Sequence, residues 1–175
     1  MYKVECKSNC KMPLPINNGK SVNESAIWER RIENPVSHLQ GQGLFGGSLL
    51  AAINQIALEV AAKHAQLNCE VRSMDFVRVI APIKRNDVIY CSAAVTRTWP
   101  ELMEVRVLVA AEDLRLLEKR DVLSSYFIIG ATDEMGRSLR LPRVIPETTP
   151  QRRQFINAER RRLLRMRQSS LSCRY

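Results

Sequence analysis

Leu44-Phe45-Gly46-Gly47-Ser48-Leu49-Leu50-Ala51-Ala52-Ile53-Asn54 carries the clearest architectural signal of the chain. Two glycines open a long helix, because apolar residues then recur at Leu49, Ile53, Ile56, Ala57, Val60 and Ala61, the spacing of one helical face, as far as about His64. Asn54 puts a polar amide on the third turn. No Ser, Thr, Asp or Asn stands immediately before the glycines, so the first helical amides are free to meet an anion or a developing oxyanion. Glycine also admits close approach by a backbone or ligand. A second reading, in which the glycines let the helix pack tightly into a sheet, stays open beside the first and is the simpler of the two.

The composition bounds what the chain can be. Its 175 residues suit one domain with tails, and an apolar share of 45% can build a core. No apolar run approaches the length of a membrane span. The lysine-dotted start, Met1 to Lys20, lacks the apolar core of a secretory signal, and its prolines and absence of Arg suit a transit peptide poorly. Five cysteines, at 6, 10, 69, 91 and 173, leave one unpaired in any full disulfide scheme and form no C-x-x-C pair. They read as reduced thiols of a cytoplasmic protein, with a mitochondrial setting left open, and a metal site is not expected. The formal charge of +9 predicts attraction to anions, whether nucleic acid, an acidic membrane surface or a polyphosphate-bearing small molecule.

Moving outward from the helix, residues 1–22 read as a flexible arm, 23–147 as the folded domain, and 148–175 as an arginine-rich helix and tail. Ser25–Glu33 suits a first strand with Trp28 as its anchor, and residues 34–43 form a loop marked by Pro35, Gly41 and Gly43. Cys69–Val79, Val88–Arg97, Leu102–Ala111 and Val122–Thr132 read as strands in hairpin-like succession, with residues 112–121 as a connection. Leu102–Ala111 alternates most cleanly: Met103, Val105, Val107 and Val109 fall on one side, Glu104 and Arg106 on the other, as in a half-buried antiparallel strand. The expected class is α+β, a long helix lying across a curved antiparallel sheet. Thr149-Pro150 reads as an N-cap with Pro at N1, opening a helix to about Arg167 that carries seven arginines. That helix is either a solvated terminus or a phosphate-binding arm. RNA is a subordinate reading, since no aromatic residues are interleaved for base stacking.

The chain resembles the acyl-CoA thioesterase (acyl-CoA hydrolase) family of the hotdog fold. The resemblance runs from about Asn34 to Arg167 through Leu44-Phe45-Gly46-Gly47, Ala61-Ala62-Lys63-His64-Ala65, Ser73-Met74-Asp75-Phe76-Val77, Ala81-Pro82-Ile83, Met103-Glu104-Val105, Ala111-Glu112-Asp113, Thr132-Asp133-Glu134-Met135-Gly136 and Ala158-Glu159-Arg160-Arg161. The order and spacing of these pieces carry the assignment. It implies homodimers with one continuous sheet, often assembled as trimers of dimers, with fatty acyl-CoA at the subunit interface. No cofactor is implied, since the coenzyme A moiety belongs to the substrate. It further implies that the Gly47 amide polarises the thioester carbonyl, with Phe45 and Gly46 beside it. Basic residues of the C-terminal helix, among them Arg160 and Arg161, would hold the CoA phosphates.

Counted from the glycines, the family's helix carboxylate falls on Asn54, which can hold a water but cannot take its proton. The family's loop asparagine falls on Leu39, between His38 and Gln40, and its Thr-Ser pair before Met103 becomes Glu101-Leu102. His38 is the candidate replacement base. Glu59, five residues after Asn54, lies far around the helix. Asp75 reads as structural. The resemblance therefore implies a protein that hydrolyses or binds fatty acyl-CoA. A catalytically inactive acyl-CoA-binding subunit, or a structural subunit of a larger assembly, is the alternative.

Overall fold

The computed structural model describes residues 19–33, 47–84 and 86–172. Its elements run β1 (Lys20–Ser21), α1 (Val22–Ser25), β2 (Ile27–Ile32), α2 (Gly47–Ala65), β3 (Cys69–Val79), β4 (Asp87–Thr98), β5 (Leu102–Asp113), β6 (Glu118–Thr132), β7 (Ser138–Leu139), β8 (Val144–Ile145) and α3 (Thr149–Ser172). The long strands form an antiparallel sheet in the order β2-β4-β5-β6-β3, with β7 pairing β6; β1 and β8 make a short parallel pair. This is the α+β arrangement read from the sequence.

The core lies between α2 and the inner face of the sheet. The buried face of α2 is Leu49, Ile53, Ile56, Ala57, Val60 and Ala61, as its periodicity predicts. Met103, Val105, Val107 and Val109 face it from β5, with Phe127 and Ile129 from β6 and Ala93 and Val95 from β4. Each large side chain removed from water here contributes about 1.5–3 kcal/mol. Ala57 and Ala61 have almost no side chain to keep the helix away from the strands.

Four expectations need correction. Residues 112–121 are not a connection: β5 and β6 pair down to Asp113↔Glu118 around a tight turn. Asp113 builds that turn, its carbonyl accepting from the Leu116 and Leu117 amides and its carboxylate from the Arg115 amide. The segment has no Gly, Pro or Asn to announce a turn, and Leu117 takes up the left-handed conformation at φ 54°. Trp28 is no anchor, being 57% exposed; β2 is preceded by α1, and its alternation buries Ile27 instead. The cap of α3 is Thr148, one residue before the expected one. Its hydroxyl accepts from the Gln151 amide, and the Gln151 side chain accepts in return from the Thr148 amide, a reciprocal capping box.

The fourth correction concerns Glu104. It does lie on the side of β5 opposite the core, but it is fully buried there, because α3 covers that outer face. Thr96 Oγ donates to Glu104 Oε1 at 2.7 Å, Arg161 reaches it through Nη2 at 2.7 Å and Nε at 3.2 Å, and Arg165 Nη1 reaches Oε2 at 3.0 Å. The Arg161 guanidinium also lies 3.9 Å from the centroid of the Tyr126 ring. Trp99 Nε1 donates to Glu159, and Arg97 stacks on Phe155, completing the docking of α3. The expected arm 1–22 is ordered from Gly19 onward, and residues 1–18 lie outside the described residues.

Truncating one member of such a buried ionic group leaves the others uncompensated, at a cost of about 3–5 kcal/mol. Glu104→Ala should therefore lower stability to urea by about that amount and make residues after Thr148 sensitive to limited proteolysis. Joint replacement of Glu104, Arg161 and Arg165 by Leu, Met and Met should lose much less. A loss below about 1 kcal/mol for Glu104→Ala would show that this carboxylate does not hold the helix.

Candidate active site at the start of the central helix

Gly47 is the first residue of α2 and is exposed; a methyl group added to it would meet no described atom within 4 Å. Packing among the described residues therefore does not require a glycine here. The first amides of a helix have no intrahelical acceptor, and the backbone dipoles make that end positive. No acidic side chain in the first turn offsets that field. Leu49, buried on the second residue beyond Gly47, fixes the helix end against the sheet. Phe45, Gly46 and His38 lie outside the described residues.

Asn54 is half-buried, and its side chain makes no hydrogen bond to a described residue. It follows Gly47 by about two turns, which places both on one face of the helix but about 10 Å apart along its axis. One carbonyl group cannot touch the Gly47 amide and the Asn54 side chain of the same chain.

Glu59 is engaged elsewhere. Arg30 bonds it through both Nη atoms, Lys63 Nζ lies 2.9 Å away, and these cations hold its carboxyl down at about 2. So acidic a group is a poor base near neutrality. His64 is structural. It is buried at the end of α2, with Nε2 3.2 Å from the Pro142 carbonyl and Nδ1 3.4 Å from Ser25 Oγ. The carbonyl can only accept, so Nε2 donates to it, and the hydroxyl donates to Nδ1. Lys20 Nζ donates to the Lys63 carbonyl at 2.5 Å, capping the same helix end. Burial pushes the Cys69 thiol up to about 11 and the Cys91 thiol up to about 12, which removes both as nucleophiles. Among the described residues no group of three metal ligands occurs, and no helix is long and apolar enough to cross a membrane.

The arginines of α3 divide by face. Arg160 is exposed, whereas Arg161 is turned inward onto Glu104. Since α3 lies on the outer face and α2 on the inner, the sheet separates both from Gly47 and Asn54 within one subunit. Asp75, on β3, lies 3.4 Å from Arg165, within ion-pair distance though outside hydrogen-bond geometry. Glu104, Tyr126 and Arg165 were missed in the sequence as a group. The available signal was an acidic residue near the start of a strongly apolar strand, matched by arginines one helical turn apart at 161 and 165.

An uncharacterised acyl-CoA thioester hydrolase of Bacillus subtilis is 36% identical to the chain over 105 residues, 60% of this chain and 61% of that protein. The chain's match thus spans about three fifths of that relative's length. The acyl-CoA hydrolase of Staphylococcus aureus, solved with butyryl coenzyme A, coenzyme A and coenzyme A disulfide, superposes with a TM-score of 0.79 at 28% identity over 90% of this chain and 98% of that one. An apo hexameric acyl-CoA thioesterase superposes with a TM-score of 0.80 at 28% identity, over 87% and 98% of the two chains. No protein-family model matches.

Because burial holds the His64 imidazole below its ordinary 6.5, the unfolded chain takes up that proton first as the pH falls. The contribution of His64 to stability is complete above 6.5 and is lost as the pH falls through its lower folded-state value. Urea unfolding should therefore show stability falling below 6.5, more steeply in the natural protein than in His64→Gln. Equal slopes would mean that this imidazole is not held neutral.

Proposed function

We propose that the chain, which is similar to acyl-CoA thioesterases of the hotdog fold, binds fatty acyl-CoA between two copies of itself and hydrolyses the thioester. The observation that supports this most is the start of α2: an exposed glycine, with no described atom where a side chain would stand, and no acidic side chain in the first turn. There the Gly47 amide, with Phe45 and Gly46 beside it, meets the thioester carbonyl oxygen. As water adds, the carbon–oxygen double bond becomes an alkoxide, which the amide and the helix field stabilise. Collapse breaks the carbon–sulfur bond. A carboxylic acid and the coenzyme A thiol leave, with one water consumed and no cofactor invoked.

The separation of Gly47 and Asn54 along one helix supports a composite site, in which each thioester meets Gly47 of one chain and Asn54 of the other. Asn54 orients the water, and the proton passes to another group, for which His38 is the candidate. Exposed Arg160 is the α3 cation placed to meet CoA phosphates; Arg161 contributes by holding the helix.

Pairing through β3 fits the exposed surface. β3 is an edge strand, and Met74, Phe76, Val77 and Val79 on it are 37–54% exposed, an apolar edge that lone subunits usually avoid. The opposite edge, β2, is short and carries Glu29, Arg30 and Arg31. We propose the β3-paired homodimer, a further assembly into trimers of dimers, and a cytoplasmic setting.

Hydrolysis of acyl-CoAs from short to long, followed by release of free thiol, tests the reading. The natural protein should turn over, and Gly47→Ala should fall by about tenfold or more while its unfolding midpoint stays within a few degrees. Binding of acyl-CoA without turnover, rescued by Asn54→Asp, would establish the inactive alternative. Separately, Met74→Lys with Val79→Lys should shift the protein to monomers in light scattering and abolish hydrolysis with it; an active monomer would rule out the composite site.

A further inference from the structure

On the outer face of the sheet, away from α2, a cavity of about 390 Å³ lies between β4, β5, Trp28 and the start of α3. That is within the size range of small-molecule pockets, about 300–1,000 Å³. Its floor is Ala94 and Leu108, and Val22 and Pro150 close its sides. Most of these walls are apolar. Arg106 is nevertheless among them, half-buried.

The charges of this face leave Arg106 over. Glu104 is shared by Arg161 and Arg165, Asp75 lies by Arg165, and Glu159 pairs with Arg97 and Arg162. Arg106 makes no ion pair with a described residue, although Glu104 is only two positions along the same strand face. Its Nε is buried with no hydrogen-bond partner, and so is Oε1 of Gln154, which lines the same cavity from α3. Apart from Ser92, the other hydrogen-bonding side chains around the rim that come from α1, α3 and Thr96 are already used. Thr148 and Gln151 cap α3, Asn23 bonds Glu147 and Gln151, and Thr96 bonds Glu104. A partly buried cation between apolar walls is costly unless an anion meets it. A guanidinium matches a carboxylate with two parallel hydrogen bonds, and the walls ask for a hydrocarbon body behind that carboxylate.

We propose that this cavity is a second ligand site, which takes a medium-chain aliphatic carboxylate with its head on Arg106 and its chain over Ala94 and Leu108. The site does not depend on hydrolysis at Gly47, because the sheet stands between the two. The indole of Trp28 at the rim reports occupancy.

Titrating the full-length protein with octanoate, by calorimetry and by Trp fluorescence, tests the proposal. One saturable site per chain is expected, with Trp28→Phe removing the fluorescence change but not the heat. Arg106→Gln should weaken binding at least tenfold, and Ala94→Leu, which fills the floor, should abolish it. Octan-1-ol, lacking the carboxylate, should bind at least tenfold more weakly than octanoate, and saturating coenzyme A should not displace octanoate. Unchanged circular dichroism and melting establish that both variants fold. The proposal is overturned by absence of saturable binding, by binding unchanged in the two variants, by equal binding of the alcohol, or by displacement with coenzyme A. Octanoate binding in a protein that fails to cleave any acyl-CoA would leave this site standing and the hydrolase reading not.

Discussion

A single buried carboxylate, Glu104, governs how this structure is arranged. It sits near the start of β5, the central strand of the sheet, on the face away from the core, where no water reaches it. An ionised group in such a place demands partners. Thr96 supplies one from the neighbouring strand, and Arg161 and Arg165 supply the others from α3. The C-terminal helix is thus held by charge and by stacking on Tyr126 more than by its own modest apolar content. Arg165 also reaches Asp75 on β3, so the same helix bridges the middle of the sheet and the edge through which the proposed dimer forms.

Much of the fold was legible in the sequence because the inner face obeys simple periodicities. The helical face of α2 and the alternation of β5 each match their buried residues. What was illegible came from tertiary cover and from local turn chemistry. Alternation assigned Glu104 to the far side of the strand correctly. Only knowledge of where α3 docks could say that this side is dry. The β5–β6 turn was hidden because Asp113 organises four residues that lack the usual turn formers. Trp28 misled because its size suggested burial, while the pleat points it outward over the cavity beside Arg106.

The site was legible only in part, for reasons of geometry. Gly47 stands where its sequence context put it, at the start of the long helix. His38, Phe45 and Gly46 lie outside the described residues. Arg160 and Arg161, adjacent in sequence, point to different sides of α3, since neighbouring helical positions differ by about 100°. Treating them as a pair of phosphate ligands ignored that rotation. Burial of one and exposure of the other follow from which side faces Glu104.

The sheet also separates two kinds of chemistry. The core on its inner side is apolar, and the first turn of α2 carries no acidic side chain to oppose the helix field at the proposed site. Its outer side carries a surplus of arginines over carboxylates; Arg97, Arg161, Arg162 and Arg165 are held in ion pairs there, whereas half-buried Arg106 has none with a described residue. The net charge of +9 is thus not a uniform coating. Part of it is spent internally in fastening α3, part is displayed on that helix at Arg160, and part faces the outer cavity. A catalytic centre that relies on a weak dipole field is best placed away from strong cations that would bind anions indiscriminately, and the intervening sheet provides that distance.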